Sequence, residues 1–332
     1  MNIKTEITSI KITAILFFVC GVFAIYSTPV FAYEKIKTNA TPQNDFAVEP
    51  GKTEVYLNPG ETITKTISIT NRVEKTVKFR LSTEDLKGTD DPNTPIVFLG
   101  DDIGPYSLKN LVTPEITEFS LDFGEKITIP VKISIPADAE PRGYYGAVIV
   151  SNAPDKEISE NKTSKETEGK TVIVSRIGSI FLVRINGEGK EEGYLSDFKI
   201  KGPFRPFYEK MPAGFEIGFK NNGNVHLVPY GMITIRNMFG ASIKQIPVDA
   251  YFALPNSTRY REVISSENFG FGRYKAHLSL YKGYGDTEIQ EQKDIYFWVL
   301  PWKILTAVFL GLVILISFIY YIATRFEIKK KQ

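Results

Sequence analysis

Ile127-Thr128-Ile129-Pro130-Val131-Lys132-Ile133-Ser134-Ile135 decides the fold. Every second side chain is apolar, and Thr, Pro, Lys and Ser stand between. A period of two belongs to a strand with one buried face and one wet face. Pro130 brings no N–H to a ladder, which favours an edge strand or a bulge. Working outward, Ile63, Ile67 and Ile69 repeat the pattern with Lys65 as the exception, and so do Val77, Phe79 and Leu81. Further on come Phe215, Ile217 and Phe219, then Ile233 and Ile235, then Ala276, Leu278 and Leu280. No long amphipathic helix is legible between Tyr33 and Leu300.

Turn chemistry separates these runs: Asn58-Pro59-Gly60, Thr70-Asn71, Asn221-Asn222-Gly223-Asn224 and Pro255-Asn256-Ser257. Many short antiparallel strands with such punctuation predict an all-β protein of β-sandwiches. The chain also repeats itself. A strand, an Asn-containing turn and a strand recur around Asn71 and around Asn222. A later strand opens with Gly and Tyr in both halves, at Arg142-Gly143-Tyr144-Tyr145-Gly146 and at Phe271-Gly272-Arg273-Tyr274. Two sandwiches in tandem are expected, over about 45–187 and 193–299. The polar, Gly-rich stretch Asn186 to Gly193 is short, so they should sit close with limited swing. The polar stretch 152–170 reads as a linker or as a long mobile hairpin loop. The loop is preferred, because Thr171 to Ile185 at once resumes a buried strand.

The two ends bound where the protein acts. Lys4 and Lys11 precede an apolar run from Ile12 to Tyr26, and Val30 and Ala32 suit a cleavage site, so residues 1–32 read as a secretory signal peptide. The alternative is an uncleaved anchor, for which the run is short. Cys20-Gly21 raises a lipoprotein signal, but Phe17-Phe18-Val19 is bulky for that cleavage. At the other end, 302–323 is expected to be a transmembrane helix, within which Ile304 to Ala323 is twenty residues without a charge. At about 1.5 Å per residue that run crosses the roughly 30 Å hydrocarbon core. Trp298 and Trp302 flank one edge, Tyr320 and Tyr321 the other, as amphipathic rings at the headgroup level do. Arg325, Lys329, Lys330 and Lys331 follow, so residues 324–332 form a basic cytoplasmic tail and the N-terminal side lies outside.

The chain has 332 residues and net charge +2, of which residues 33–300 hold −3. Without a basic stripe, nucleic acid is not an expected partner. Cys20, the one cysteine, leaves with the signal, so the exported part is disulfide-free. That suits a bacterial rather than an animal surface protein.

Catalytic chemistry is not legible. His226 and His277 are the two histidines, far apart, and make no zinc pattern. His277 alternates with Ala276 and Leu278 and should face solvent. No nucleophile elbow and no phosphate loop occur. Glu84, Asp85, Asp90, Asp91, Asp101 and Asp102, with Asn93 between, make an acidic stretch over 84–102. It reads as Asp-rich turns or as a calcium site without EF-hand spacing. No catalytic residue, metal or cofactor is assigned. Two aromatic segments are candidate binding surfaces: Tyr144 and Tyr145, and Phe204, Arg205, Phe207 and Tyr208. The other reading of these rings is that they pack the ends of the sandwiches.

The chain resembles the WxL-interacting proteins of Gram-positive bacteria. The likeness rests on Phe46-Ala47-Val48-Glu49-Pro50, on Leu57-Asn58-Pro59-Gly60-Glu61 leading to Ile69-Thr70-Asn71, and on Ile135-Pro136-Ala137-Asp138-Ala139. It continues through Gly143-Tyr144-Tyr145-Gly146-Ala147, Ser175-Arg176-Ile177-Gly178-Ser179-Ile180 and Phe219-Lys220-Asn221-Asn222-Gly223-Asn224. Leu254-Pro255-Asn256-Ser257, Phe271-Gly272-Arg273-Tyr274 and Tyr296-Phe297-Trp298 complete it. The stretch between Pro50 and Val55 is short for that family. The resemblance implies two Ig-like domains, the first associated with peptidoglycan and the second with a host or partner protein, above a C-terminal span. The expected function is therefore a non-enzymatic, membrane-anchored surface protein. Its partners would be the lipid bilayer and either peptidoglycan or a surface protein. A structural or sensory subunit of a membrane complex is the alternative, and a cell-envelope enzyme a third.

Overall fold

A computed structural model describes residues 33–152, 174–203, 205–265, 270–283 and 291–325. The proposed signal peptide, most of the 152–170 loop, Phe204 and the three terminal lysines lie outside the described residues. In chain order the first strands are β1 (Lys35–Lys37), β2 (Phe46–Glu49), β3 (Lys52–Leu57), β4 (Thr62–Asn71), β5 (Val77–Gly88) and β6 (Ile96–Phe98). Next come β7 (Val112–Pro114), β8 (Glu118–Leu121), β9 (Glu125–Ser134), β10 (Gly143–Asn152) and β11 (Arg176–Ile185). The second half holds β12 (Gly193–Ile200), β13 (Phe207–Tyr208), β14 (Gly214–Asn221), β15 (Tyr230–Asn237) and β16 (Ser242–Val248). It ends with β17 (Ser257–Ile264), β18 (Gly272–Tyr281), β19 (Glu291–Val299) and the helix α1 (Trp302–Arg325). Among the described residues the protein is mostly β with one C-terminal apolar helix.

The strand quoted first is β9. Ile127, Ile129, Val131 and Ile133 are all buried, and Thr128 and Lys132 between them are not. Burying each such side chain is worth about 1.5–3 kcal/mol before chain entropy is counted. Pro130 does not make β9 an edge or a bulge. β4 runs along one side without a break, while β1 and β7 share the other. Pro130 sits where the ladder to β7 stops: its carbonyl accepts the Glu115 N–H at 3.0 Å, and the return bond it could not donate is absent.

Four sheets form in two pairs. In the first half, β1-β9-β4-β2 with β7 faces β3-β11-β10-β5-β6 with β8. Their apolar faces merge in one core, where Phe79 meets Phe46 edge-on at 5.1 Å and stacks on Phe119 at 5.5 Å. In the second half, β12-β14-β17 faces β13-β19-β18-β15-β16 around Phe215, Phe219, Tyr274 and Phe297. Not every pairing is antiparallel. β3 runs parallel to β11 and β13 parallel to β19. In both halves an early strand with an antiparallel partner, β2 or β12, is followed by one in the other sheet, β3 or β13, that lies parallel beside the last strand.

The repeat is atomic at two asparagines. Asn71 Nδ2 donates to the Lys75 and Leu121 carbonyls at 2.8 and 3.0 Å, and its Oδ1 accepts the Val73 N–H at 2.9 Å. Asn221 Nδ2 donates to the Val225 and Ala253 carbonyls, and its Oδ1 accepts the Gly223 N–H, all at 2.8 Å. Both side chains are fully buried, so each amide replaces water with three backbone partners. The equivalent of Asn71 is thus Asn221, one residue before the turn position read from the sequence.

β10 and β11 pair with Ser151 opposite Arg176, so the polar stretch between them joins neighbouring strands of one sheet.

Candidate functional site

β10 is the key to what the protein exposes. Its first eight residues, Gly143 to Val150, are all buried. Tyr144, Val148 and Val150 enter the core of the first half, whereas Tyr145, Ala147 and Ile149 face the other way. On that second face they meet Leu86 and Leu182 from their own sheet and Leu254 from the second half. Phe252 packs against the same cluster. A strand covered on both faces reads as a continuous apolar run, here Ala147-Val148-Ile149-Val150, rather than as alternation.

Polar groups close the seam around this cluster. Tyr145 Oη accepts the His226 backbone N–H at 2.6 Å and stands 3.3 Å from His226 Nδ1. His226 Nε2 lies 2.9 Å from Glu54 Oε1. A carboxylate only accepts, so Nε2 carries a proton toward Glu54. The Glu54 carboxyl is held below the usual carboxylate range, first by the bond from His226, with burial opposing. Burial pushes the Tyr145 hydroxyl far above the ordinary phenol range. Gly143 N–H donates to the Asn224 carbonyl at 3.0 Å. Any Cβ on Gly143 would collide with the Tyr145 ring, so glycine makes room for the tyrosine that the seam needs.

Asp90 is the second clasp. Its Oδ1 accepts the Thr258 backbone N–H at 2.6 Å and lies 3.0 Å from Lys220 Nζ. These contacts, the lysine first, lower its pKa. Most of the acidic stretch likewise makes contacts within the protein. Asp85 accepts three backbone N–H groups, from Gly104, Leu108 and Lys109. Glu84 pairs with Arg176, Asp101 with Lys109, and Asp91 caps its own turn at Asn93. Among the described residues no group of three His, Cys, Asp or Glu side chains is placed to hold a metal ion.

The candidate surfaces separate. Tyr145 is 1% exposed and Tyr144 is buried in the core, so neither is offered to a partner. This corrects their reading as a binding surface: the second face of β10 is covered by the other half of the chain. Phe207 in contrast is 59% exposed and Arg205 is exposed, while Tyr208 turns inward against Phe297, with ring centroids 6.3 Å apart. Trp298 lies on β19 opposite Arg273, whose guanidinium stands 4.6 Å from the centre of the Tyr296 ring. Trp302, Tyr320, Tyr321 and Arg325 are exposed on α1. His277 is only part-exposed, with Nδ1 2.6 Å from Asp294 Oδ1 on the next strand. Burial opposes ionisation of Asp294, but the bonds from Lys275 and His277 outweigh it and lower its pKa.

The seam was not read from the sequence. Glu54, Tyr145 and His226 are far apart in the chain, and each alone looks ordinary. The available signal was His226 set in the apolar run Val225-His226-Leu227-Val228.

No family model matches the chain, and no curated protein matches it. Solved structures similar to it include the class 5 fimbriae chaperone CfaA, at 11% identity and a TM-score of 0.37 over 77% of this chain and 100% of that one. The CsuC–CsuE chaperone–tip adhesion subunit complex of Acinetobacter baumannii gives 11% and 0.35 over 77% and 99%. The E. coli chaperone DraB gives 12% and 0.32 over 76% and 98%. What the chain shares with these proteins is a loose likeness of β-sandwich architecture.

Proposed function

We propose that this chain is a membrane-anchored surface protein that displays two Ig-like domains, 45–187 and 193–299, and acts by binding rather than by turnover. The observation that carries the reading is α1. It has 24 residues, none of them buried, and it follows β19 after only Leu300 and Pro301. At about 1.5 Å per residue it is long enough to cross a bilayer. A helix with apolar side chains all round needs lipid or protein about it.

The seam supports the same reading. An apolar cluster, the His226–Glu54 contact and the Asp90 clasp fix the first half on the second, so the body above the membrane is one stiff projection. The basic residues after α1 favour a cytoplasmic C-terminus, with the sandwiches outside. The partner class is a cell-wall polymer or a surface protein, as for the WxL-interacting proteins that the sequence resembles.

The test uses the full chain, solubilised in detergent and immobilised. Purified wall material and a surface-protein fraction are passed over it separately. Retention of one of them in a form that competes with soluble protein supports the reading. Retention of neither sinks it.

A further inference from the structure

The second half exposes its apolar side chains unevenly. Among the described residues between 193 and 301, ten large apolar side chains are exposed. Seven of them, Phe207, Met238, Phe239, Ile243, Ile264, Phe271 and Trp298, stand at one end. Strand pairing places them there. Trp298 at the end of β19 is opposite both Phe207 on β13 and Arg273 at the start of β18. Tyr274 is opposite Asn237, the last residue of β15, and the turn to β16 carries Met238 and Phe239. Ile243 opens β16. Ile264 closes β17, and Phe271 immediately precedes β18.

This is the end from which α1 departs. Two residues separate Val299 from Trp302, a reach of about 10 Å at most. Leu300 N–H donates to the Tyr208 carbonyl at 2.7 Å, and Lys303 Nζ is 3.0 Å from Glu209, so the exit is tied to β13. From β19 to β16 is three strand spacings, or about 14 Å across the sheet. If α1 spans the membrane, this two-residue joint keeps the apolar end of the sandwich next to the bilayer surface. Charge agrees. Arg205, Lys210, Arg236 and Arg273 lie at this end, whereas Glu209 and Glu262 there are paired with Lys303 and Lys201. Phe239 is 86% exposed at the tip of a turn, a position that a soluble face seldom gives to phenylalanine.

We propose that this end of the second sandwich is a lipid-docking surface: Phe239, Met238, Phe271 and Phe207 enter the boundary between headgroups and acyl chains, and the surrounding arginines and Lys210 contact lipid phosphates. Interfacial aromatics and cations bind membranes in this manner, to a depth of about 5–10 Å. The proposal rests on the reading of α1 as a span, and the test separates the two.

The full chain carries two tryptophans, Trp298 and Trp302. Both are changed to Phe, and a single tryptophan is returned as Phe239→Trp, Leu312→Trp or Tyr194→Trp. Each protein is reconstituted in phosphatidylglycerol–phosphatidylcholine vesicles with brominated acyl chains. Tyr194 is exposed at the start of β12, the end away from α1. The expected result is loss of emission for Phe239→Trp and Leu312→Trp, with Tyr194→Trp unaffected by bromine and open to aqueous iodide. If Leu312→Trp is quenched and Phe239→Trp behaves as Tyr194→Trp does, the docking surface is wrong and the span stands. If Leu312→Trp is not quenched, the span itself falls, and the docking surface with it.

Discussion

His226 Nε2 stands 2.9 Å from the Glu54 carboxylate across 172 residues of sequence, and this contact joins the second half of the protein to the first. Its acid dependence follows from the direction of the Glu54 shift. A carboxyl held lower in the folded protein than in the unfolded chain stabilises fully above its ordinary pKa, here 4.5. That stabilisation is lost as pH falls through the lower folded value. Asp90 is shifted in the same direction and adds to the loss. The unfolding midpoint should therefore fall below about pH 4.5, and Glu54→Gln should flatten part of that slope. Thermal unfolding of both proteins between pH 3 and 7 measures it. Identical slopes would remove Glu54 from the seam's acid response.

Tyr145→Phe tests the hydroxyl alone. The ring remains, but the His226 backbone N–H loses the acceptor at 2.6 Å. An unpaired buried donor costs about 1–3 kcal/mol. Chemical denaturation should show a loss in that range, and a variant as stable as the parent would mean that water replaces the hydroxyl.

The paired asparagines should behave alike. Asn71→Ala and Asn221→Ala each strip three backbone groups of their partner, for about 2–4 kcal/mol apiece. Asn→Asp should not rescue either, because both Nδ2 bonds are donor bonds into carbonyls. Denaturant midpoints of the four variants decide whether the two turns are energetic as well as geometric equivalents.

Gly88 is a wedge point. A Cβ there would lie 2.5 Å from Ser257 Cβ, on the other side of the seam. Gly88→Val should push the halves apart, at about 1–3 kcal/mol, and open the connector between Ile185 and Gly193 to protease. Limited proteolysis read by mass spectrometry at 186–192 checks this. A parent-like digestion pattern would show that the seam absorbs the methyl groups.

Periodic elements were legible because one strand or helix carries its own signal. β9 alternates, and α1 holds twenty residues together without a charge. The seam was illegible because it is made of single residues on separate elements: Glu54 on β3, Tyr145 on β10, His226 after β14. Tyr144 and Tyr145 read as a candidate surface because they are paired aromatics beside Arg142, and alternation is missing around them. The lack of alternation had a different cause, which is burial on both faces. Pro130 taught a related lesson. It was expected at an edge or a bulge, yet the sheet accommodates it by ending a neighbouring strand at Pro114 and leaving the other side whole.

The short joint at Leu300 and Pro301 has a mechanical consequence. If α1 is held in a bilayer, tension applied at the far end of the sandwiches would run through β19 into it. β19 lies between β13 and β18, with nine residues in register with β18. To give way it must slide along its neighbours, breaking its rungs together rather than one after another. An attachment of that kind yields late under pull.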